Sequence, residues 1–527
     1  MKQLYYRQKT LQLILFVSLV RLFIAGSIGL GNDEVYYRIY ANSLQWNYFD
    51  HPPMVGWLIR ISTLNLLFDN DLFIRLGAIL SGAAATWLIF LCGKKISDAY
   101  TGFLAVILYS SCLYTSVICG IFILPDSPQM ICWSAALLLL LTIAGAPGIN
   151  RKRIKAMWLF GIVAGLGMLC KIHTSFLWLG LGLFVLLYNR RWLRQPSLYL
   201  SALTTVLFFY PVIRWNIDNH FISFTYHGNR VNLSRGGPDP GNLLSFTAGQ
   251  LLYMNPVLFV LFILTGIAAF KNQLAISVLH KRMLLLTALP LLGISFAVAC
   301  FRQVLPHWSG PACLSLILLT AAWLRKRAHH PPKSLVPPVL KLAGGLTVFI
   351  LFAGLILVRY YPGTLSTAGA DKMGEGDFTL DMYGWKSLRD DFAKLAEADV
   401  SSGRMKPNSC IISNKWFPAA HLEHYVAEPL HIPLLAIGEL FDIHQYAWLN
   451  QERRPLRAGD DAWCIVPSNN LFNPVVAYAS LFRQIKLQHR IDQWRNGKRC
   501  RYFSIYLLKD YQPASLARNQ VTYINRF

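Results

Sequence analysis

The chain has 527 residues, of which 54% are apolar, 14% charged and 13% aromatic, and its mean hydropathy is +0.39. Ordinary soluble domains are about 45–50% apolar and about 25% charged, so this composition excludes a disordered, collagen-like or disulfide-stapled chain and points to a membrane protein. The 50 Lys+Arg against 26 Asp+Glu give a net charge of +24; because these basic residues fall in short loops between apolar runs, they act as topology signals, and no nucleic-acid partner is expected.

A bilayer core needs roughly 20 apolar residues per helix. Such runs lie at 11–30, 72–92, 101–119, 128–146, 156–170, 173–188, 198–215, 246–270, 283–300, 308–324 and 338–360. The expectation is a multi-pass α-helical membrane protein with about 11 transmembrane helices, 13 at most, followed by a C-terminal α/β domain. The first run carries Arg21 and lacks a small-residue cleavage site before Gly31, so it reads as a retained anchor.

Basic clusters mark alternate loops. Lys2, Arg7 and Lys9 precede the first run, and Lys94-Lys95 follow the second. Arg151, Lys152, Arg153 and Lys155 follow the fourth, and Arg190, Arg191 and Arg194 the sixth. Lys271, Lys281 and Arg282 follow the eighth, and Arg325-Lys326-Arg327 with Lys333 the tenth. The positive-inside rule puts these loops and the N-terminus in the cytoplasm and the opposite loops, with everything after Tyr360, outside.

The expected domains are residues 1–362, a membrane domain with a first outer loop at 31–71, and residues 363–527, a soluble extracytoplasmic domain. In the latter, β-like runs at 410–412, 463–466 and 503–508 alternate with helical patterns at 385–396 and 417–426. Of the 10 cysteines, seven lie in or beside apolar runs and read as small buried residues. Cys410, Cys464 and Cys500 allow one disulfide in an exported domain, with its pairing open.

The outer loops hold the residues with chemistry. Asp33 and Glu34 begin an amphipathic stretch with Tyr36, Ile39, Tyr40 and Leu44 on one face. An acidic pair also suits a helix N-terminus for purely structural reasons. Further on, Asp50-His51 is held in a turn by Pro52-Pro53, although Asp50 alone would pass as a turn residue. Asp126 stands between Pro125 and Pro128, where it is a turn residue, a cap or a functional acid. Lys171 interrupts an apolar stretch just before Ile172-His173. It either snorkels to lipid phosphates or binds an anion inside the protein.

These strings, with Phe73-Ile74-Arg75-Leu76, Tyr210 to Asn216 and Pro306-His307-Trp308, resemble the GT-C superfamily of polyprenyl-phosphate-dependent glycosyltransferases. The resemblance is to family 39 and the aminoarabinose lipid A transferases, relatives of the protein O-mannosyltransferases, and covers most of the first 310 residues in order. Asp442 to Trp448 also looks like a family element near the sugar site. One departure is His51, which stands where the aminoarabinose transferases have lysine.

The resemblance implies an inverting transferase of the bacterial cytoplasmic membrane. It would move a sugar from a polyprenyl (undecaprenyl) phosphate to an envelope acceptor such as lipid A, a glycan or a protein, among membrane lipids. Carried over by motif, Asp33 is the candidate general base, Asp126 is placed to orient the acceptor or assist the base, and Glu34 is a further catalytic candidate. Lys171 leads the candidates for the donor phosphate, followed by Arg75, Arg302 and His307. Tyr36, Tyr37, Asp50, His51, Tyr446 and Trp448 are candidate substrate contacts. A divalent metal is the one cofactor that comes into question, with Asp50 and His227 as candidate ligands, too few for a full coordination set. A transporter or a non-catalytic lipid-binding assembly protein is the competing expectation. The first would place charges near the bilayer midplane in broken helices, whereas the acidic residues here cluster in outer loops.

Overall fold

The computed structural model describes residues 2–146, 148–233, 237–328 and 335–513; Lys333 and the end of the tail, 514–527, lie outside the described residues. Two compact units are present, one made of Met1–Ala25 with Gln45–Phe352 and the other of Gly26–Leu44 with Ala353–Phe527.

All eleven apolar runs are at least partly helical, but their lengths differ. Among the described residues, seven helices are long and apolar enough to cross a bilayer: Gln3–Ser27, Asp71–Ile96, Asp126–Ala144, Arg151–Cys170, Pro196–Asp218, Val278–Ala299 and Pro338–Tyr360. The run at 246–270 is two helices, Pro240–Met254 and Pro256–Phe270, bent by 104°. Asn255 makes the break. It adopts φ +78°, and its buried amide donates to the carbonyls of Ser111 and Ala343 and to Thr347 Oγ1 at 3.1, 2.9 and 3.0 Å. A proline at 256 cannot continue the hydrogen-bond ladder. The other runs give shorter helices, Ala99–Ser111, Ile172–Tyr188 and Ala312–Arg327. The first of these stops at Ser111 and passes into a single π-helical turn, Tyr114–Ile118.

Arg21, in the middle of the first helix, is buried and donates to the Thr115 carbonyl at 3.3 Å. Gly82 and Gly120 make room for it, since a Cβ on either would fall 2.6 Å from the guanidinium. Large apolar side chains such as Leu207, Phe349 and Leu342 point outward from the long helices. That is the pattern of a surface solvated by lipid.

The second unit is an α/β domain around a five-stranded sheet. Its strands are β1 (Cys410–Ser413), β2 (Leu434–Ala436), β3 (Ala462–Pro467), β4 (Phe482–Arg495) and β5 (Lys498–Tyr511), in the order β2-β1-β3-β5-β4. β1 runs parallel to β2 and β3, and β5 runs antiparallel to β3 and β4. The three tail cysteines are free, buried thiols.

The division differs from the expected domains: residues 26–30, the end of the first apolar run, and 31–44, the start of the expected outer loop, group with the tail, and that unit begins at Ala353 rather than at residue 363. Hydrogen bonds account for it. Gly29 N–H donates to the Met382 carbonyl at 3.1 Å. Arg38 donates to Glu428 at 2.8 Å, and the Gln445 N–H donates to Tyr36 Oη at 3.1 Å.

Candidate active site

In the first unit, the helix Arg151–Cys170 ends where Lys171 takes an extended conformation (φ −160°, ψ 133°). That break turns the lysine inward. Its ammonium donates to Asp126 Oδ2 at 2.8 Å, and the Tyr114 hydroxyl donates to Asp126 Oδ1 at 2.8 Å. The two side chains of the ion pair are 6% and 3% exposed. Tyr114 is seated by Gly310, where a Cβ would lie 2.2 Å from the ring, so any other residue would push the phenol off Asp126.

A second layer gathers around this pair. The 47–51 segment is docked on the helix Ile222–Val231: Asn47 donates to Ser223 Oγ at 2.9 Å, and Ser223 donates to the Tyr48 carbonyl at 3.0 Å. His227 Nε2–H donates to the Asp50 carbonyl at 2.6 Å, which leaves Nδ1 as the unprotonated nitrogen of the neutral ring. The His51 and His227 rings are 5.7 Å apart. Arg230 lies over Trp308 at 5.3 Å, and Trp308 is 6.3 Å from His173. Gln250 donates to the Pro306 carbonyl at 2.8 Å and so fixes the turn that bears His307.

Burial, and then the neighbouring His227 and Lys171, hold the His51 imidazole well below the usual histidine range. Burial and Lys171 bring His307 down to about 4. An unfolded chain takes up these protons near pH 6.5, whereas folded His307 takes its proton near 4. The folded state therefore loses stability as pH falls from 6.5 toward 4. The thermal midpoint in detergent is expected to drop between pH 7 and 5, and His307→Gln to flatten part of that slope. A wild-type midpoint unchanged over this range would contradict the arrangement.

In the second unit, the helix Asn32–Tyr40 begins with Glu34 folded back on its own start, where it accepts the Gly31 N–H at 2.9 Å. Asp33 is exposed and Glu34 buried. Asn32 Oδ1 accepts from His421 Nε2 at 2.9 Å, and Leu30 N–H donates to the Tyr425 hydroxyl at 2.8 Å. His421 is stacked between Trp385, at 4.4 Å, and Tyr425, at 5.9 Å.

The structure thus brings Lys171 and Asp126 into direct contact, with His51, His227 and His307 in the same first unit. Other candidates have different surroundings. Arg75 is fully buried and donates to the Ala25 carbonyl at 2.9 Å, at the end of the first helix. Arg302 is half-buried, and among the described residues its guanidinium has no hydrogen-bond or ion-pair partner. Tyr36 and Tyr37 are buried in an aromatic cluster with Tyr40, and Tyr36 also packs on Trp416. Tyr446 is fully buried beside Glu423 and Arg453, while Trp448 is half-buried. Among the described residues, no group of metal-ligating atoms includes Asp50 or His227. Sequence reasoning missed Arg230 and His421. His173 carried a signal, since it stands two residues after Lys171.

Residues 50–215 match the family model described as dolichyl-phosphate-mannose-protein mannosyltransferase. Comparison with curated proteins gives no match. The fold is similar to that of ArnT from Cupriavidus metallidurans in the structure bound to undecaprenyl phosphate, with 15% identity, a TM-score of 0.63, and 94% of this chain and 97% of that one covered. The apo structure of the same protein gives 14% identity, a TM-score of 0.60, and coverage of 95% and 98%. The chain thus shares the fold of the ArnT structures, and its residues 50–215 match the protein mannosyltransferase family model.

Proposed function

We propose that the protein is an inverting glycosyltransferase that takes a sugar from a polyprenyl phosphate and passes it to an envelope acceptor. The observation that carries the reading is the buried Lys171, set among polar and aromatic groups in a chain of this fold. The ArnT structure of the same fold binds undecaprenyl phosphate, and a lipid-linked phosphate is the ligand an inward-turned ammonium suits.

In this reaction the acceptor hydroxyl attacks the anomeric carbon, and its proton passes to the Asp33 carboxylate. The bond from that carbon to the phosphate oxygen breaks, and the electron pair leaves on the phosphate. A phosphate monoester has a second pKa of about 6, so the group departs without a strong general acid. It does need donors as its charge grows. The Lys171 ammonium has three N–H bonds, and among the described residues one of them serves Asp126. The others are available to the phosphate, with Arg230, Arg302 and neutral His51 and His307 as further contacts of the same unit. Asp126 and Tyr114 fix where the ammonium sits.

The alternation of basic loops puts the N-terminus in the cytoplasm and residues 363–527 outside, on the side of the leaflet where the donor would present its phosphate. Reporter fusions at residues 5, 155, 240 and 450 are expected to report inside, inside, outside and outside. An inside result at 450 would separate Asp33's unit from that donor and overturn the reading.

A further inference from the structure

One buried arginine of the second unit ties the tip of the β4–β5 hairpin to the end of the last membrane helix. Arg495 closes β4 and is fully buried. Its guanidinium donates to the Val358 carbonyl at 3.1 Å, in the last turn of Pro338–Tyr360, and to the Gly363 carbonyl at 2.9 Å. The Gly363 N–H donates back to the Arg495 carbonyl at 3.0 Å. In the hairpin turn, the Asn496 amide donates to the Tyr360 carbonyl at 2.9 Å. Val358 and Tyr360 are among the last four carbonyls of the helix, which find no partner inside it, so the hairpin serves as its cap. The same guanidinium donates to Thr379 Oγ1 at 2.7 Å and pairs with Asp377 at 3.3 Å, which fastens the Phe378–Met382 segment to the hairpin as well.

These bonds set the level of the hairpin relative to a bilayer. Pro338–Tyr360 has 23 residues, and at ~1.5 Å per residue it is about 35 Å long, against a hydrocarbon core of about 30 Å. Its last turn therefore reaches the headgroup layer. The hairpin tip, bonded to Val358, Tyr360 and Gly363, starts at that level.

The side chains displayed there suit that place. Trp494, Tyr360 and Phe378 are 58%, 58% and 64% exposed. Single exposed aromatics need no explanation, but three on segments joined at one buried arginine are not scattered. Two exposed cations accompany them, Arg359 beside Tyr360 and Lys498 at the start of β5. Arg499, by contrast, is paired with Asp492 at 3.4 Å. Among the described residues, neither Arg359 nor Lys498 has an ion-pair partner. Aromatic rings with lysine and arginine beside them are the composition of a membrane–water interface. The rings sit at headgroup depth and the cations reach lipid phosphates.

We propose that the tip of the β4–β5 hairpin is a membrane-docking surface: Trp494, with Tyr360 and Phe378, seats in the phospholipid headgroup layer, and Arg359 and Lys498 meet the lipid phosphates. The bilayer, rather than another protein, is the occupant because the surface is bonded to the last turn of a membrane helix. Asn496 and Gly497 both take positive φ, which keeps the turn to two residues and holds Trp494 and Lys498 close to that helix end. The second unit thus meets the membrane through folded contacts and not through its chain connection alone.

The test is spin labelling of the full-length protein in nanodiscs of phosphatidylethanolamine and phosphatidylglycerol. A nitroxide at Trp494→Cys is compared with one at Val476→Cys, an exposed position in the helix Pro474–Tyr478 just before β4. The 14 residues of β4 separate the two sites by roughly 45 Å at ~3.3 Å per residue. Wild-type protein treated with the same label gives the background from its own thiols. The ratio of oxygen to water-soluble nickel-chelate accessibility is expected to be several-fold higher at 494 than at 476. A label at 494 that nickel reaches as readily as the one at 476 stands in water and overturns the proposal. A label at 494 closed to both reagents is covered by protein, a partner or a second copy, and overturns it as well. Thermal midpoints verify folding; should Trp494→Cys melt early, a label at Lys498→Cys, on the same turn, decides by the same criteria.

Discussion

Asp33→Asn is expected to reduce turnover by a factor of at least about 10², the usual contribution of a positioned general base. Amide for carboxylate keeps the size and removes the basicity, so a proton that must leave the acceptor hydroxyl has no strong acceptor. The cost to stability should be small. Asp33 is exposed in the first turn of the helix Asn32–Tyr40, where a negative charge typically contributes about 0.3–1 kcal/mol through the helix dipole. The neighbouring Glu34 accepts the Gly31 N–H and holds the helix start in place in the variant. Expression and the detergent midpoint should therefore stay near wild type while transfer is lost. Near-normal turnover by a folded Asp33→Asn protein would show that another group is the base.

Lys171 gives the second large effect, and its pairing with Asp126 determines how that effect must be measured. Removing the ammonium alone leaves a buried carboxylate without its counter-charge, which costs about 3–5 kcal/mol. Lys171→Met should therefore express poorly or melt early, for reasons unrelated to the reaction. Combining Lys171→Met with Asp126→Asn removes both charges and keeps an acceptor for the Tyr114 hydroxyl, so stability is expected to recover. Turnover is not. The donor phosphodiester carries one negative charge, and its phosphate gains roughly half to one more as the sugar leaves. A fixed ammonium favours the later state over the earlier one, which is a rate effect rather than a binding effect. The stable double variant should lose about a hundredfold in kcat, with a smaller change in KM for the lipid donor. Recovery of both stability and kcat would make the pair a structural strut.

Much of this was legible in the sequence, and the reasons are local. The hydrophobic runs and their basic flanks located the long helices, since bilayer thickness fixes their length. The number of crossings was less accessible. Asn255-Pro256 divides one apolar run, and the π-helical turn after Ser111 shortens another, although neither alters the hydropathy of the run. In the tail, β1, β3 and β5 were read from their apolar residues. β4 was missed because it is an edge strand whose outer positions carry Arg483, Lys486, Arg490 and Asp492, a composition that guards an open edge and hides the strand. Its one local signal is Asn496-Gly497, where both residues take positive φ in the β4–β5 turn.

At the candidate site, Asp33, Asp126 and Lys171 were found as isolated charges at the ends of apolar runs. Their partners were not. That Lys171 pairs with Asp126, 45 residues earlier, depends on how the helices Asp126–Ala144 and Arg151–Cys170 pack. His421, which holds the Asn32 side chain, has no motif around it, and that contact goes with the grouping of residues 26–44 with the C-terminal unit.

The central claim is transfer of a sugar from a polyprenyl phosphate, and mass spectrometry of lipid-linked sugars and envelope glycoconjugates in cells with and without the gene tests it most directly. Loss of the gene should make one polyprenyl-phosphate sugar accumulate and remove the same sugar mass from an envelope glycolipid, glycan or protein. The wild-type gene should reverse both changes, and Asp33→Asn neither. Identical profiles with and without the gene, or full restoration by Asp33→Asn, would contradict the account.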